Sequence, residues 1–447
     1  MSDRGAGGSG RGLRVDSVDI LVVSWNGRRH LETLLPALAA QRDPGAAVGI
    51  RLFDNGSTDG TAAWVGAEHP EVEVVEHPVN LGFSAANNRL AEGSSADALV
   101  LVNNDTRPRP DWLAELVAAL RASPPDVAAL SGCIVDWEGE RLDFGRGVMA
   151  FDGHAFQLDY GRLLEEVEIP AEGAELLFPC GGNMIARRDA FRAAGGFDES
   201  YFAYLEDVDL GWRFWSGGER VLSAPRAVVR HRSKATSDLL GNANRGLLFE
   251  RNAYFTAFKN YDAELWPQLM PAVQLTLLAR TTHLLARCNP NGDVLALDPF
   301  RTAGEASEAV SGDRGAAPRT NPGAAPRGLW QRARDVVALR TRLRRLARRL
   351  GGVPAGAPAV VDDQTVAQVR ALSAIVRGLD GASERRRQVQ ARRRRSDREI
   401  LERFPLYVVP TYPGDEELFA SAGFESLWPE DLAPVRRLLD DVMEVER

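Results

Sequence analysis

Val18-Asp-Ile-Leu-Val-Val-Ser24 is a nearly continuous apolar run that ends in a polar sequence, Trp25-Asn26-Gly27. A run of this kind is typical of a β-strand that is buried on both faces and stops at a loop. A helical segment follows, and the alternation of apolar run and helix then repeats. Four such units within about 90 residues predict a doubly wound α/β sheet with mainly parallel strands. The predicted strands are Val18–Ser24, Gly49–Asp54, Val72–Glu76 and Ala98–Asn103, and the predicted helices are His30–Gln41 and two that begin at Thr61 and Ser84.

Polar residues follow each of the four predicted strands. Ligands of doubly wound sheets bind beyond the carboxyl ends of the strands, so these residues are candidates for a binding site. Each cluster taken alone is common turn or helix-cap chemistry. Four clusters at the same edge of one sheet instead predict a shared ligand. The clusters are Ser24-Trp25-Asn26, Asp54 to Thr61, Asn80 to Asn88, and Asn103-Asn104-Asp105.

Three carboxylates, Glu206, Asp207 and Asp209, interrupt an apolar, aromatic run in the middle of the chain. Ionised groups are costly to place in such surroundings. The apolar spacing predicts a helix over 207–216 with the acids in its first turn. Neighbouring helical side chains point about 100° apart, so we expect one of Glu206 and Asp207 to face a cleft and Asp209 to pair with Arg213. The alternative is an ordinary helix with an acidic first turn.

The net charge of −8 over 447 residues is unevenly distributed. Arg327–Arg403 holds 20 Arg against 8 acidic residues, whereas Pro405–Arg447 holds 3 basic and 10 acidic residues. The basic block indicates an anionic lipid surface, a nucleic acid or the acidic tail as its partner. We do not expect nucleic acid, because the Arg clusters lack interleaved aromatic residues for base stacking.

Three cysteines without close spacing argue against a disulfide framework or a zinc knuckle and favour a reducing compartment. No stretch reaches the roughly 20 apolar residues of a membrane span. The Gly-rich beginning of the chain lacks the apolar core of a signal peptide. These features predict a cytoplasmic protein, with peripheral attachment to the inner face of the plasma membrane as a further option.

In their order along the chain, these motifs resemble those of inverting family 2 glycosyltransferases of the GT-A fold, and more narrowly those of bacterial rhamnosyltransferases and galactofuranosyltransferases. The resemblance implies transfer of a rhamnose- or galactofuranose-like sugar from a UDP- or dTDP-sugar to a glycan or lipid-linked acceptor, in cell-wall or polysaccharide biosynthesis. The implied cofactor is a divalent cation, Mn²⁺ or Mg²⁺. A catalytically silent GT-A module that binds a nucleotide sugar or glycan is the alternative. The resemblance covers residues 17–240 and rests on Ser24-Trp-Asn26, Asp54 to Thr61, Asn80-Leu-Gly-Phe83, Asn103-Asn-Asp105 and Glu206-Asp-Val-Asp209.

The resemblance assigns the nucleotide sugar to the residues at the strand ends. In similar enzymes the aspartate after the second strand accepts the imide N–H of the base, and here that residue is Asp54. Trp25 can lie against the base, with Asn26 and Asn80 as polar partners; a packed aromatic residue is the alternative for Trp25. The implied nucleotide-sugar-binding residues are Ser24, Trp25, Asn26, Asp54, Ser57, Asn80, Gly82, Asn104 and Asp105.

The resemblance also implies a metal site and a catalytic base. Asp105 matches the last carboxylate of an Asp-X-Asp motif whose first position is Asn103 here, and His231 matches a histidine that reaches the cation; Ser233, Lys234 and Thr236 could meet phosphate oxygens. Asp207 is the implied base, with Glu206 as the second choice. The expected acceptor-binding residues are Gly182, Asn183 and Trp212, and a plain tight turn is the alternative for the Gly181-Gly182 loop.

Beyond about residue 245 the resemblance thins, and we predict a mostly α-helical C-terminal region with helices at Leu247–Tyr261, Trp266–Arg287, Leu329–Leu350 and Gln364–Phe404. Its basic helices fit either an interfacial helix on a membrane or a solvated bundle helix. The oligomeric state is left open. The predicted divisions are a disordered leader (1–16), a GT-A catalytic domain (17–245), a helical extension (246–288), a Pro/Gly/Ala-rich linker or loop (289–328), an Arg-rich helical region (329–404) and an acidic tail (405–447).

Overall fold

The structure, a computed structural model, describes residues 14–232, 240–287 and 362–444. A nine-stranded mixed sheet lies at its centre in the order β3-β2-β1-β4-β10-β6-β11-β5, with β7 paired to β6. The strands are β1 Ser17–Ser24, β2 Ala47–Asn55, β3 Val72–His77, β4 Ala98–Val102, β5 Thr106–Pro108, β6 Val127–Val135, β7 Leu142–Phe144, β10 Asn183–Arg187 and β11 Arg220–His231, with a separate hairpin of β8 Gly147–Met149 and β9 Ala155–Gln157 and a small pair of β12 Tyr407–Val408 and β13 Val435–Arg436.

Helices pack on both faces of this sheet. They are α1 Arg28–Ala39, α2 Thr61–Glu68, α3 Gly82–Gly93, α4 Trp112–Ala122, α5 Arg188–Ala193, α6 Glu206–Ser216, α7 Asn242–Asn260, α8 Leu265–Arg287, α9 Asp363–Arg392, α10 Asp397–Leu401, α11 Asp415–Phe419, α12 Ala422–Glu425 and α13 Leu439–Val442.

The first four strands run parallel, as predicted, and each face of β1 is buried. Ile20 and Val22 belong to a core shared with α1 and α4, whereas Leu21 belongs to a core shared with α3 and α5. The mixed part of the sheet begins where β10 enters antiparallel between β4 and β6. The parallel run therefore collects the carboxyl ends of β1, β2 and β4 at one edge.

Two elements of the structure are interrupted along their length. Strand β11 shifts register in its pairing with β6 between Ala224 and Val228. The helix predicted over 364–404 ends at Arg392, and α10 begins after a Ser396 cap that pairs reciprocally with Glu399. A capping box is a strong helix-start signal, so it splits the pattern into two helices.

Arginines of the basic block donate hydrogen bonds to backbone carbonyls of the protein itself. Arg386 donates to the carbonyls of Tyr261 and Asp262, just beyond the end of α7. Arg395 donates to the carbonyls of Trp215 and Gly218, at the end of α6. Cations at helix C-termini satisfy the last carbonyls and oppose the helix dipole. This part of the basic block is therefore used to join helices.

The acidic tail packs on the rest of the fold. Phe419, Phe424 and Trp428 surround Phe151 with ring centroids 5.5–5.8 Å from it. Buried Arg280 of α8 pairs with Asp415 at 2.9 Å. Residues 405–444, called the C-terminal segment below, therefore share a core with the sheet domain.

The chain divides into two compact units, residues 1–283 with 367–447, and residues 284–366. Most of the second unit lies outside the described residues, as do the predicted leader up to residue 13, the linker 289–328, the helix Leu329–Leu350 and the phosphate-contact residues Ser233, Lys234 and Thr236. None of the described helices is long and apolar enough to cross a membrane.

Candidate active site

The loops that follow β1, β2 and β4 are tied to one another by their polar side chains. The strand register places Ser24 beside Asp54, and the Asn104 side-chain amide donates to the Ser24 hydroxyl at 3.1 Å. The backbone N–H of Asn26 donates to Ser57 Oγ at 2.9 Å. The side-chain oxygen of Asn26, Oδ1, accepts from the backbone N–H of Thr58 at 2.7 Å. Ser24, Asn26 and Ser57 thus hold the strand-end loops in register.

Beyond these strand ends lies a cavity of about 690 Å³, called the strand-end cleft below. It collects residues from many separate parts of the sequence. Of the predicted site residues, those that line it are Trp25, Asn80, Gly82, Asn104, Asp105, Gly182, Glu206, Asp207 and His231, with Asn103.

Asp54 is buried and lies next to the cleft without lining it. Its Oδ1 accepts the Ser57 N–H at 2.9 Å, and the neighbouring Asn55 lines the cleft instead. Asn55, which the motif reading missed, accepts the Leu81 N–H and donates to the Gly82 carbonyl. Its side chain therefore fixes the Asn80-Leu-Gly loop. The two partners are 26 residues apart, and no local sequence pattern indicates that they pair.

Two of the predicted acceptor-binding residues lie elsewhere. Asn183 is fully buried within β10, where it accepts from Trp112 Nε1 and donates to the Cys133 and Ala227 carbonyls. Trp212 is also fully buried; it donates to Asp397 and packs edge-on against Tyr261. Both predictions are wrong because strand pairing and the inner face of α6 turn these side chains into the core. Gly182 does line the cleft, and a side chain there would meet Asn103 Nδ2 at 2.9 Å.

The segment that leads into α6 has an unusual backbone. Phe202, Tyr204 and Leu205 have φ angles of +67°, +71° and +64°, which non-glycine residues rarely adopt. Gly82 approaches this segment so closely that a Cβ would lie 2.4 Å from the Phe202 carbonyl oxygen. Such strain persists only when surrounding contacts over-determine it.

Asn252 of α7 supplies those contacts. Its fully buried amide donates to the carbonyls of Tyr201, Ala203 and Tyr204 at 2.8–3.1 Å. Arg251 adds bonds to the carbonyls of Ser200 and Tyr201 at 2.9 Å. Sequence reasoning assigned α7 no role, because the pairing spans about fifty residues and no local pattern marks it. Asn252 is a positioning residue for the loop that presents the acids.

Both Glu206 and Asp207 line the cleft. Asp207 Oδ2 accepts the Gly181 N–H at 3.0 Å, and Oδ1 accepts the Val208 N–H at 2.9 Å. Burial raises the pKa of Asp207, and these backbone donors oppose that rise. Burial, and then the charge of Asp207, raise the pKa of Glu206 well above its ordinary value. The two acids therefore have different environments, as acid and base partners require. As predicted, Asp209 pairs with Arg213, at 2.8 Å.

Glu206→Gln is expected to stabilise the fold by about 1–3 kcal/mol at neutral pH, because Glu206 Oε2 is a buried carboxylate oxygen without a hydrogen-bond partner among the described residues. Below pH 4.5, the ordinary pKa of the group, Glu206 is protonated in both folded and unfolded chains, so the advantage should vanish there. It should grow as the pH rises above that value, since only the unfolded chain then ionises freely. Chemical denaturation of both proteins at several pH values measures the difference; equal stability at all pH values would contradict the assignment.

Asp105 and His231 meet at the edge of the cleft, with Asp143 of β7 behind them. His231 Nε2 lies 3.2 Å from Asp105 Oδ1, and Nδ1 lies 2.8 Å from Asp143 Oδ2. Burial opposes a charge on the imidazole, but the hydrogen bonds to Asp105 and Asp143 outweigh it and raise the pKa of His231 to about 10. Asp143 was not predicted; it comes to the site only through the antiparallel pairing of β7 with β6.

The described ranges hold no ready-made group of three or more His, Cys, Asp or Glu side chains around a metal position. Asp105 and His231 nevertheless fit as two protein ligands. A carboxylate oxygen and an imidazole nitrogen suit Mn²⁺. A metal would replace the proton on Nε2, which pairs with Asp105, while the contact of Asp143 with Nδ1 would orient the imidazole, the usual arrangement of ligating histidines.

Part of the chain is similar to proteins of known function. Residues 19–195 match the family model for glycosyl transferase family 2. The chain carries a family 2 glycosyl transferase domain. Together with the relatives described below, this makes the protein a glycosyltransferase.

The relatives of this glycosyltransferase are modestly similar. The N-acetylglucosaminyl-diphospho-decaprenol L-rhamnosyltransferase of Mycobacterium tuberculosis is 29% identical over 236 residues, which are 48% of this chain and 76% of that protein. The pre-mycofactocin glycosyltransferase of the same organism is 29% identical over 219 residues, 48% of this chain and 42% of that protein. A solved mannosyltransferase from Pyrobaculum calidifontis, in complex with GDP-Man and Mn²⁺, has 17% identity and a TM-score of 0.45, with coverage of 81% and 88% of the two chains.

Proposed function

We propose that this glycosyltransferase moves a sugar, rhamnose- or galactofuranose-like, from a UDP- or dTDP-sugar to a lipid-linked or glycan acceptor, with inversion. One observation carries the proposal. Asp105 and His231 lie in the same cleft as Glu206 and Asp207, beyond the strand ends. A diphosphate-binding group and a general base are thereby brought to one space. The rhamnosyltransferase relative supports this sugar and acceptor class.

In this proposal the nucleotide lies along the strand ends. Asp54 accepts the imide N–H of the base, Trp25 packs against the ring, and Asn80 binds a polar group of the nucleotide. Asp54 lies beside the cleft, and the Ser57 N–H binds one of its oxygens, Oδ1, and fixes the carboxylate. Ser24, Asn26 and Ser57 hold the loops that present these groups, and Asn104, which lines the cleft, donates to Ser24.

Asp105 and His231 would hold a divalent cation, Mn²⁺ or Mg²⁺. The cation would neutralise the charge that develops on the departing diphosphate. Asn103 replaces a carboxylate of the family motif and keeps this part of the cleft less negative. Three residues after His231 that were predicted to meet phosphate oxygens, Ser233, Lys234 and Thr236, lie outside the described residues.

Asp207 acts as the general base in the proposed displacement. The acceptor oxygen forms a bond to the anomeric carbon while the bond from that carbon to the diphosphate oxygen breaks, and the acceptor proton passes to Asp207. Burial, which raises the pKa of Asp207, makes the carboxylate a stronger base. The Gly181 N–H fixes its orientation. Gly182, next to it, leaves room for the acceptor.

The direct test is a screen of UDP- and dTDP-sugars for transfer to N-acetylglucosaminyl-diphospho-lipid and for hydrolysis in its absence. We expect turnover with one nucleotide class that is abolished in Asp105→Asn. Asp136→Asn, at the neighbouring polar surface and outside the strand-end cleft, serves as the matched control and should retain activity. Absence of turnover and of nucleotide binding for the whole panel would contradict the proposed function.

Replacing the metal-site residues should weaken cation binding itself. We expect His231→Ala to lower Mn²⁺ affinity by about tenfold or more, and Asp143→Asn by about 10- to 100-fold through the loss of imidazole orientation. Titration of free Mn²⁺ by electron paramagnetic resonance, with UDP present, measures this without reference to activity. His69→Ala, a histidine whose ring contacts Trp64 and Glu71, should bind Mn²⁺ as the wild type does. Unchanged Mn²⁺ affinity in His231→Ala would rule out this metal site.

A further inference from the structure

One wall of the strand-end cleft is apolar and comes from sequence beyond the family match. Half-buried Leu439 and Met443 line the cleft together with Phe156 of β9 and Phe249 of α7. The match to family 2 ends at residue 195, so three of these four side chains lie outside it. This wall is therefore a feature of the C-terminal half of this chain.

The backbone holds the two C-terminal side chains in place. Leu439 is the first residue of the short helix α13, and Met443 follows its last residue in extended backbone. Between them Val442 is fully buried in a cluster with Phe156. The Val442 carbonyl accepts the Asp159 N–H at 2.7 Å, and the Glu444 N–H donates to the Tyr160 carbonyl at 2.7 Å.

A network of buried charged groups also holds the C-terminal segment against the rest of the fold. His154, in the loop between β8 and β9, lies 3.0 Å from both Asp152 and Glu250. The Tyr412 hydroxyl of the C-terminal segment donates to Glu250 at 2.6 Å. Arg280 bridges Asp152 and Asp415. Removing one partner of such a buried network is strongly destabilising, so the wall is preorganised.

We propose that Leu439 and Met443, with Phe156 and Phe249, form the subsite for the apolar carrier of the acceptor, so that the C-terminal segment selects acceptors that bear a lipid chain. The inference rests on the proposed function and deepens it. The strand ends supply polar partners for the donor, whereas this wall presents four apolar side chains, with Gln157 and Thr411 also lining the cleft. A free glycan, covered in hydroxyl groups, would lose hydrogen bonds to water there. An alkyl chain would gain apolar contact.

The test is calorimetric titration of the full-length protein with dodecyl diphosphate below its micelle concentration, with UDP and Mn²⁺ saturating. We expect dodecyl diphosphate to bind, and inorganic diphosphate to bind much more weakly. Leu439→Ser and Met443→Ser should each weaken dodecyl diphosphate binding by about tenfold, the effect of losing one buried apolar side chain. Leu438→Ser is the matched control, because Leu438 is 54% exposed and does not line the cleft.

Met443→Leu keeps the apolar contact and should bind dodecyl diphosphate as the wild type does. Comparing it with Met443→Ser shows whether weaker binding comes from the lost apolar contact or from a general loss of folding. Two results would overturn the subsite: equal binding of dodecyl and inorganic diphosphate, or wild-type binding of dodecyl diphosphate in both serine variants. If the protein still binds UDP in that case, the proposed function is unaffected. Failure of the protein to bind UDP would overturn both.

Discussion

Asp207→Asn is expected to lower the rate of sugar transfer by about 10²- to 10⁴-fold, the usual contribution of a general base. The amide keeps the shape of the side chain, and its oxygen can still accept the Gly181 N–H. It cannot take the acceptor proton. Nucleotide affinity should therefore stay near the wild-type value, and kcat should fall without a matching rise in the KM for the donor. Steady-state kinetics together with UDP calorimetry measure both quantities.

Glu206→Gln is the matched comparison for this variant, since it removes the adjacent buried carboxylate of the same helix turn. We expect a smaller loss of rate than in Asp207→Asn. If Asp207→Asn turns over at the wild-type rate and Glu206→Gln does not, the base is Glu206 and the assignment made here is wrong.

Asn252→Asp is expected to lower both stability and activity. The substitution is nearly isosteric, but it replaces a donor by a carboxylate that faces three backbone carbonyls. The Ala203 and Tyr204 carbonyls then lose this donor, while the Tyr201 carbonyl keeps only its bond from Arg251 among these two side chains. A cost of about 3 kcal/mol or more in the free energy of unfolding follows. The loop with positive φ angles should relax and move Glu206 and Asp207 away from the donor, so that kcat falls by about 10²-fold as for other misplacements near 1 Å.

Chemical denaturation and kinetics on the same preparation test this expectation. Asn244→Asp is the control on the same helix, because Asn244 is exposed and bonds the Leu240 carbonyl and the Arg370 side chain. It should change neither quantity appreciably. A folded Asn252→Asp enzyme with wild-type kcat would show that the strained loop is not held in its active shape by Asn252.

The parts of the fold and site that are written in local sequence could be predicted. The apolar run at Val18–Ser24 and the turn chemistry after each strand depend only on neighbouring residues, and the structure brings Asp105, Asp207 and His231 to one cleft. The i,i+4 pair of Asp209 and Arg213 is local in the same sense. Their agreement reflects the strong periodicity of buried parallel strands and amphipathic helices.

The remaining features depend on contacts between distant segments. Asp143 reaches His231 only because β7 pairs with β6, and Asn252 reaches the Tyr201–Tyr204 carbonyls from a helix whose own pattern is ordinary. Asn183 and Trp212 were assigned to the acceptor from the resemblance to family 2 enzymes. Neither side chain's burial follows from its neighbours in sequence.

The role of the charged residues likewise could not be predicted from the sequence, as the arginines show. Composition distinguishes a basic block from a neutral one, but it does not distinguish arginines that bind an external anion from those that bind carbonyl groups. Arg386 and Arg395 do the latter, at the ends of α7 and α6. Long side chains with several donors are suited to both roles.

The most direct measurement is a crystal structure of the complex with UDP and Mn²⁺, with anomalous data collected to locate manganese. We expect the manganese peak between Asp105 and His231, the uracil beside Asp54 and Trp25, and the open side of the diphosphate toward Asp207. UDP and Mn²⁺ bound in another cavity, such as the arginine-lined one beside α5 and α9, with the strand-end cleft left to solvent, would contradict the account.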